Sequence, residues 1–487
     1  MKTILKLLLI LIGILVPFTS VYAYDFEVDG LYYNVLSFDN LTCEVTSGDD
    51  SYTGNIIIPA EVTTYNKTLK VICIGPSAFS GSSIASIIIP DSVTEIGSGA
   101  FSGCTSLTSV VIPDSVTEIG DYTFSGCTSL ILVVIPDSVT EIGENAFRGC
   151  TSLTSIVLSD SVTEIGPETF RGCTSLTSIV IPDSVTKIGY NAFRDCTSLT
   201  SIVIPDSVTK IVGSSFAGCT SLASIIIPDS VTIIGSGTFK GCTSLTSIII
   251  PDSVTIIEYE AFMDCTMLKV IKLSESLEAI NYGTFYNCKN LTSLTIPGKV
   301  KEIVFSSSEY SSTNALFYNC NELKQLTFAG SEIGSKLIFR NYRKEELPDL
   351  NILYIDRVLS NRLLSTCKEL RVGPNVNDVR VNVEATETII SYATTPPTIP
   401  DFTNQQFMTV SVKVPYESLE AYKNAEVWKN FWNMEGFDVA NVETLLSATP
   451  KTVTYTYDFS GRPITSDYKG FAIVRYSDGS TEKKLIK

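Results

Sequence analysis

The chain has 487 residues, 44% of them apolar, and 35 basic against 52 acidic side chains, for a net charge of −17. So acidic a chain is ill suited to nucleic acid or to an anionic membrane surface. It contains no histidine, which excludes Ser-His-Asp and Cys-His catalysis and any His-ligated metal site.

Residues 1–23 read as a secretory signal peptide. Lys2 and Lys6 supply the positive region, and residues 7–16 form an apolar run too short to span a bilayer. Val21, Tyr22 and Ala23 offer a small-residue cleavage site, so the mature chain is expected to start at Tyr24. No later segment has 18 uninterrupted apolar residues. The expectation is an exported chain, secreted or at the cell surface, without a transmembrane helix.

Residues 24–53 alternate apolar and polar with Asp and Gly at the turns, and are expected to form an N-terminal β cap. From 54 to 330 the chain is close to one sentence repeated. Cys104, Cys127, Cys150, Cys173, Cys196, Cys219, Cys242, Cys265 and Cys288 recur every 23 residues. Phenylalanine steps 22 residues from Phe79 to Phe101, keeps the 23-residue beat to Phe285, then skips to Phe317. The extra residues, 306–313, read as a polar loop inserted into one turn. A fixed period of this size marks a solenoid, in which each repeat stacks on its neighbours. About eleven turns at roughly 4.8 Å each make a rod or arc about 50 Å long. Residues 331–440 read as degenerate repeats and a closing segment, with a short amphipathic helix over 417–431. Residues 441–487 alternate again around a turn at Ser460, Gly461, Arg462 and Pro463, as a small separate β module.

Residues 104–126 show how one turn folds. Leu107, Val110 and Ile112 give the L-x-x-L-x-L pattern of a leucine-rich repeat, whose core is a short strand. Alternation sends Val110 and Ile112 inward and Ser109 and Val111 outward. Pro113 has no N–H to donate, so the strand stops there. Val116, Ile119, Phe124 and Cys127 return the chain to the core. The residue before each cysteine is Gly, Asp or Asn, the types that tolerate positive φ, so this corner is expected to need a left-handed residue.

Stacking turns each position into a file. The cysteine file reads as small buried hydrophobes; nine side chains pointing the same way cannot all pair as disulfides, and zinc-type C-x₂₋₄-C spacing is missing. The aspartates Asp91, Asp114, Asp137, Asp160, Asp183, Asp206, Asp229 and Asp252 follow the strand end and read as Asx-type turns. Each opens an Asp-Ser-Val tripeptide similar to an O-glycosylation acceptor of Bacteroides-type bacteria. The outward file is different: Val111, Val134, Val157, Val180, Val203, Ile226 and Ile249 run beside Ser109, Ser155, Ser178, Ser201 and Ser224. An exposed β-branched stripe of that length exceeds what a soluble monomer usually shows, and marks a candidate protein-binding face.

The repeated Ile-Pro-Asp-Ser-Val-Thr-x-Ile-Gly-x-x-Ala-Phe-x-Gly-Cys-Thr-Ser-Leu resembles the BspA-like, Treponema-type leucine-rich repeats of bacterial surface proteins. Residues 412–415, 422–425 and 428–431 are similar to the segment that closes such arrays in Bacteroides-like proteins. Residues 457–487 look like the C-terminal sorting module of type IX secretion in Bacteroidetes. The resemblance implies a β-rich solenoid of parallel strands at the cell surface that binds other proteins, as the family's adhesins do. The reading is therefore a non-catalytic protein binder with no cofactor. The alternative is a structural spacer without a dedicated ligand, since near-identical turns discriminate poorly.

Overall fold

The computed structural model describes residues 24–305, 315–330, 336–340, 347–360, 362–363 and 366–439, and the backbone of three later strands, 453–457, 470–476 and 481–486. The expected signal peptide over 1–23, the expected loop over 306–313 and the expected turn at 460–463 lie outside the described residues.

Alternating β-branched residues, with a terminal proline in most turns, give one short outer strand per turn. These strands stack in parallel and in register. Val110 of Ser109–Val111 pairs with Val133 of Leu132–Val134. Single bridges then join Val134, Val157, Val180, Val203 and Ile226 in sequence. Ser247–Ile249 pairs with Val270–Lys272, and Ser293–Ile296 with Gln325–Phe328. The stack continues in parallel through Leu350–Ile355, Cys367–Val372, Thr388–Ser391 and Ser411–Pro415 to Asn433–Phe437. A second file of shorter strands, among them Glu118–Ile119, Glu141–Ile142 and Lys187–Ile188, forms the other wall of each turn. The fold is a β-rich leucine-rich-repeat solenoid.

The inward set is as the alternation predicts. Leu107, Val110, Ile112, Val116, Ile119, Phe124 and Cys127 are buried. The phenylalanines stack face to face along the array, with ring centroids 5.3 Å apart between Phe101 and Phe124 and 5.5 Å apart between Phe193 and Phe216, nearly parallel in both pairs. All thirteen cysteines are buried, unpaired thiols. They do more than fill space. Cys127 Sγ donates to Phe101 O at 3.1 Å, Cys150 Sγ to Phe124 O at 3.1 Å, and so on to Cys320 Sγ and Phe285 O at 3.0 Å. Phe101 O also accepts from Cys104 N at 3.0 Å, and a small apolar group with one weak donor suits a core position that faces the carbonyl's second acceptor site.

The corner before each cysteine from Cys104 to Cys320 is left-handed: φ is +73° at Gly126, +61° at Asp195 and +60° at Asn287. Its N–H donates to the next turn, as Gly126 N does to Arg148 O at 2.7 Å. A second left-handed position, two residues before the phenylalanine, is occupied by Tyr122, Asn145, Glu168, Asn191, Ser214 and Glu260 as well as by glycines.

At one end Phe26–Val28, Leu31–Ser37 and Thr42–Thr46 form an antiparallel meander, and the last of these runs parallel to Lys67–Ile74, which leads into the second strand file. At the other end the expected single helix over 417–431 is instead three pieces: 3-10 turns at Tyr416–Ser418 and Trp428–Asn430 around an α-helix at Leu419–Asn424. Tertiary contacts break it. Tyr422 OH donates to Ala393 O at 2.9 Å, and Trp428 Nε1 donates to Pro397 O at 2.7 Å. Val427, between them, is forced to φ +68°. The strands Val453–Tyr457, Gly470–Tyr476 and Thr481–Ile486 form an antiparallel three-stranded sheet.

Candidate protein-binding face

The outward residues of the first strand file are set by the same alternation that buries Val110 and Ile112. Their exposure is high over the first half of the array: 65% at Val111, 47% at Val134, 73% at Val157 and Val180, and 47% at Val203. Ile57 and Ile88 extend the row towards the cap at 66% and 60%. Ser109, Ser155 and Ser178 are exposed beside it, and Ser201 and Ser224 are half-buried.

The row does not run the whole way. Ile226 is half-buried, and Ile249 is buried at 7% exposure. Ile249 therefore leaves the candidate face. Ile226 precedes it in the file and Lys272 lies opposite it in register. Both are longer than the valines that flank Val157 and Val180, so the surface closes over at that point.

Sequence reasoning also missed two members. In one turn the usual Thr-Ser at the start of the strand is Ile131-Leu132, and these are 52% and 50% exposed. They sit beside Val134, with Leu132 in register with Ser109, and widen the exposed apolar row there. The signal was the departure from the repeat, visible only once the serine file is known to be exposed.

The aspartates beyond the strand end are exposed, but they do not hold the corner. The neighbouring serine does. Ser138 Oγ donates to Val116 O at 2.6 Å, Ser184 Oγ to Val162 O at 2.6 Å and Ser207 Oγ to Val185 O at 2.6 Å, each reaching back one turn. These half-buried hydroxyls are committed to the fold, which counts against their serving as sugar acceptors. Asp252 Oδ1 accepts from Glu275 N at 2.9 Å, again across turns. Among the described residues no group of three or more Cys, Asp or Glu side chains is disposed to hold a metal ion.

This stack of turns, with Phe, Cys and Gly in fixed files, matches the BspA type leucine rich repeat region in six copies over residues 73–200 and 186–314. A leucine-rich cell-surface protein from Faecalibacterium prausnitzii A2-165 is 30% identical, with 64% of this chain and 89% of that one covered and a TM-score of 0.48. The chain belongs to the BspA-type leucine-rich-repeat family. A leucine-rich repeat protein of Bacteroides ovatus ATCC 8483 shares the fold of this BspA-type chain at 27% identity and a TM-score of 0.53, covering 76% of this chain and all of that one. The T. pallidum leucine-rich repeat protein is 25% identical over 50% of this chain and 90% of its own, with a TM-score of 0.28. No curated protein matches the chain. Among the described residues of this BspA-type array no helix is long and apolar enough to cross a membrane.

Proposed function

We propose that this chain is an exported, non-catalytic surface protein that captures another protein on its outer strand face. The carrying observation is the unbroken row of exposed β-branched side chains from Ile57 to Val203, widened by Ile131 and Leu132. Rows of this kind are costly to leave in water and are characteristic of interaction surfaces. Membership of a repeat family with a cell-surface relative supports the location. Residues 1–23 serve in this reading as the leader, 24–53 as the cap, 331–440 as degenerate turns with a closing segment, and 441–487 as the sorting module.

The test replaces Val134, Val157, Val180 and Val203 together with lysine and measures capture of host and bacterial surface proteins. Losing at once four anchors that a bound partner would cover should weaken capture by about 30-fold or more. Circular dichroism and melting temperature should stay near those of the parent, because the side chains point away from the core. A second reading, a spacer with no dedicated ligand, is favoured by the near identity of successive turns. It predicts that the parent captures nothing.

A further inference from the structure

The repeat is uniform over most of its length, and a uniform face offers the same contacts at every turn. Discrimination has to come from positions that vary. Three of them flank the phenylalanine: the two residues at three and two places before it, and the one just after. Three places before, the array reads Glu144, Pro167, Tyr190, Gly213, Ser236 and Tyr259 in successive turns. These positions lie on the turn that follows the second strand file, away from the outer strands.

Between Tyr190 and Tyr259 the variable side chains shrink to Gly213, Ser214, Ser236 and Gly237, with Ala217 after Phe216. The result is a cavity of about 320 Å³. It crosses four turns, three steps of roughly 5 Å along the array, and its size falls in the range of small-ligand sites. Each end has an aromatic wall. Tyr190 and Tyr259 are 48% and 46% exposed. Tyr259 is stacked on Tyr282 of the following turn, with centroids 5.4 Å apart and planes 6° apart. That face of the ring is taken, and the opposite face looks along the array towards Ser236.

Charged groups sit beside both rings. Lys240 Nζ contacts Glu260 Oε2 at 2.8 Å at one end. At the other, Arg194 Nε is 3.4 Å from Asp195 Oδ2. That approach is an ion pair without hydrogen-bond geometry, so the buried Nε has no hydrogen-bond acceptor. Asp195 stands where most turns carry glycine, and a Cβ on Gly218 would come within 2.4 Å of its Oδ1. Gly218 therefore leaves the room in which the Asp195 carboxylate lies.

We infer that this cavity binds a short neutral saccharide. Two cations and two carboxylates line it, and a third carboxylate, Glu258, accepts from Ser236 N at 2.8 Å, so an anionic ligand gains no net attraction, least of all on a chain of charge −17. What the site does offer is paired charged donors and acceptors between aromatic faces. Vicinal hydroxyls accept from a guanidinium or ammonium and donate to a carboxylate in charge-assisted hydrogen bonds, while the C–H face of a pyranose ring packs on tyrosine, which is apolar on its face and polar at its tip. This site is separate from the outer strands, and its success or failure is independent of the protein-binding reading.

The experiment presents the full chain with maltotriose, cellotriose, mannotriose and N-acetylchitotriose, read by saturation-transfer NMR and by calorimetry. At least one is expected to bind saturably. Ser236→Tyr should abolish that binding by filling the cavity, and the array already accommodates tyrosine at the equivalent position in Tyr190, Tyr259 and Tyr282. Tyr259→Ala should weaken it tenfold or more, and Val157→Lys should leave it unchanged. Binding of none of the four, binding that survives Ser236→Tyr, loss of binding in Val157→Lys, or capture of a charged peptide at this site in place of the sugars would overturn the inference.

Discussion

Thermal stability of the array should fall steeply as the pH rises above about 9. Burial pushes the cysteine thiols up from their ordinary value of 9.0, to about 12 at Cys104, Cys150 and Cys196, and well above 9.0 at Cys173, Cys219 and Cys242. The folded state thus holds these protons more tightly than the unfolded chain. Their contribution is complete below the unfolded value and is lost as the pH climbs towards the folded one. One pH unit above 9 each such thiol costs on the order of 1 kcal/mol. Because the file has many members, the sum is of order 10 kcal/mol, comparable to the whole stability of an ordinary domain. Tyr52 and Tyr422, also raised by burial to about 12, add to the loss above pH 10. Melting temperature followed from pH 7 to 11 checks this. Serine at Cys173, Cys196 and Cys219, which keeps a donor for the phenylalanine carbonyl without titrating, should make the curve shallower. A melting temperature that stays level to pH 10.5 would contradict the account.

The next largest effect is expected at the aromatic file. Phe193 stacks between Phe170 and Phe216, both at 5.5 Å, and is fully buried. Phe193→Ala should cost about 3–5 kcal/mol, the lost transfer energy plus the cavity left behind. The chain cannot collapse around that gap, because the turns on either side are fixed by their own hydrogen bonds, such as Phe193 N to Ser215 O at 2.8 Å and Phe170 N to Ala192 O at 2.9 Å. In a one-dimensional stack the damage concentrates at one interface. Urea unfolding should therefore show a lower midpoint and a broader or split transition, as the two halves uncouple. A change under about 1 kcal/mol would mean that the file is not tightly packed.

Much of this was legible because repetition removes ambiguity. The inward set of Val110, Ile112 and Phe124 followed from alternation and period, and the left-handed corner at Gly126 followed from glycine being replaced only by Asp and Asn. The second left-handed position escaped notice because Tyr122, Glu168 and Ser214 carry no preference that betrays it; the inter-turn hydrogen bonds impose it. The serine of Asp-Ser-Val took the structural role expected of the aspartate, since only the stacked neighbour shows where a carbonyl waits. Val157 and Val180 stand exposed as the alternation expects, whereas Ile249 is buried, because exposure there depends on the size of residues one turn away rather than on the strand's own pattern. The cavity near Tyr259 was invisible for the same reason. It is made by what Gly213, Ser236 and Gly237 lack.

The central claim is that successive 23-residue turns stack singly and in parallel, so that equivalent residues stand in line. Spin labels on cysteines introduced at Val111 and, in turn, at Val157, Val180 or Val203 test it directly, with the native thiols protected by burial. The label separation should lengthen by about 4.8 Å with each added turn. A separation that fails to grow with turn number, or that shortens, would contradict the account.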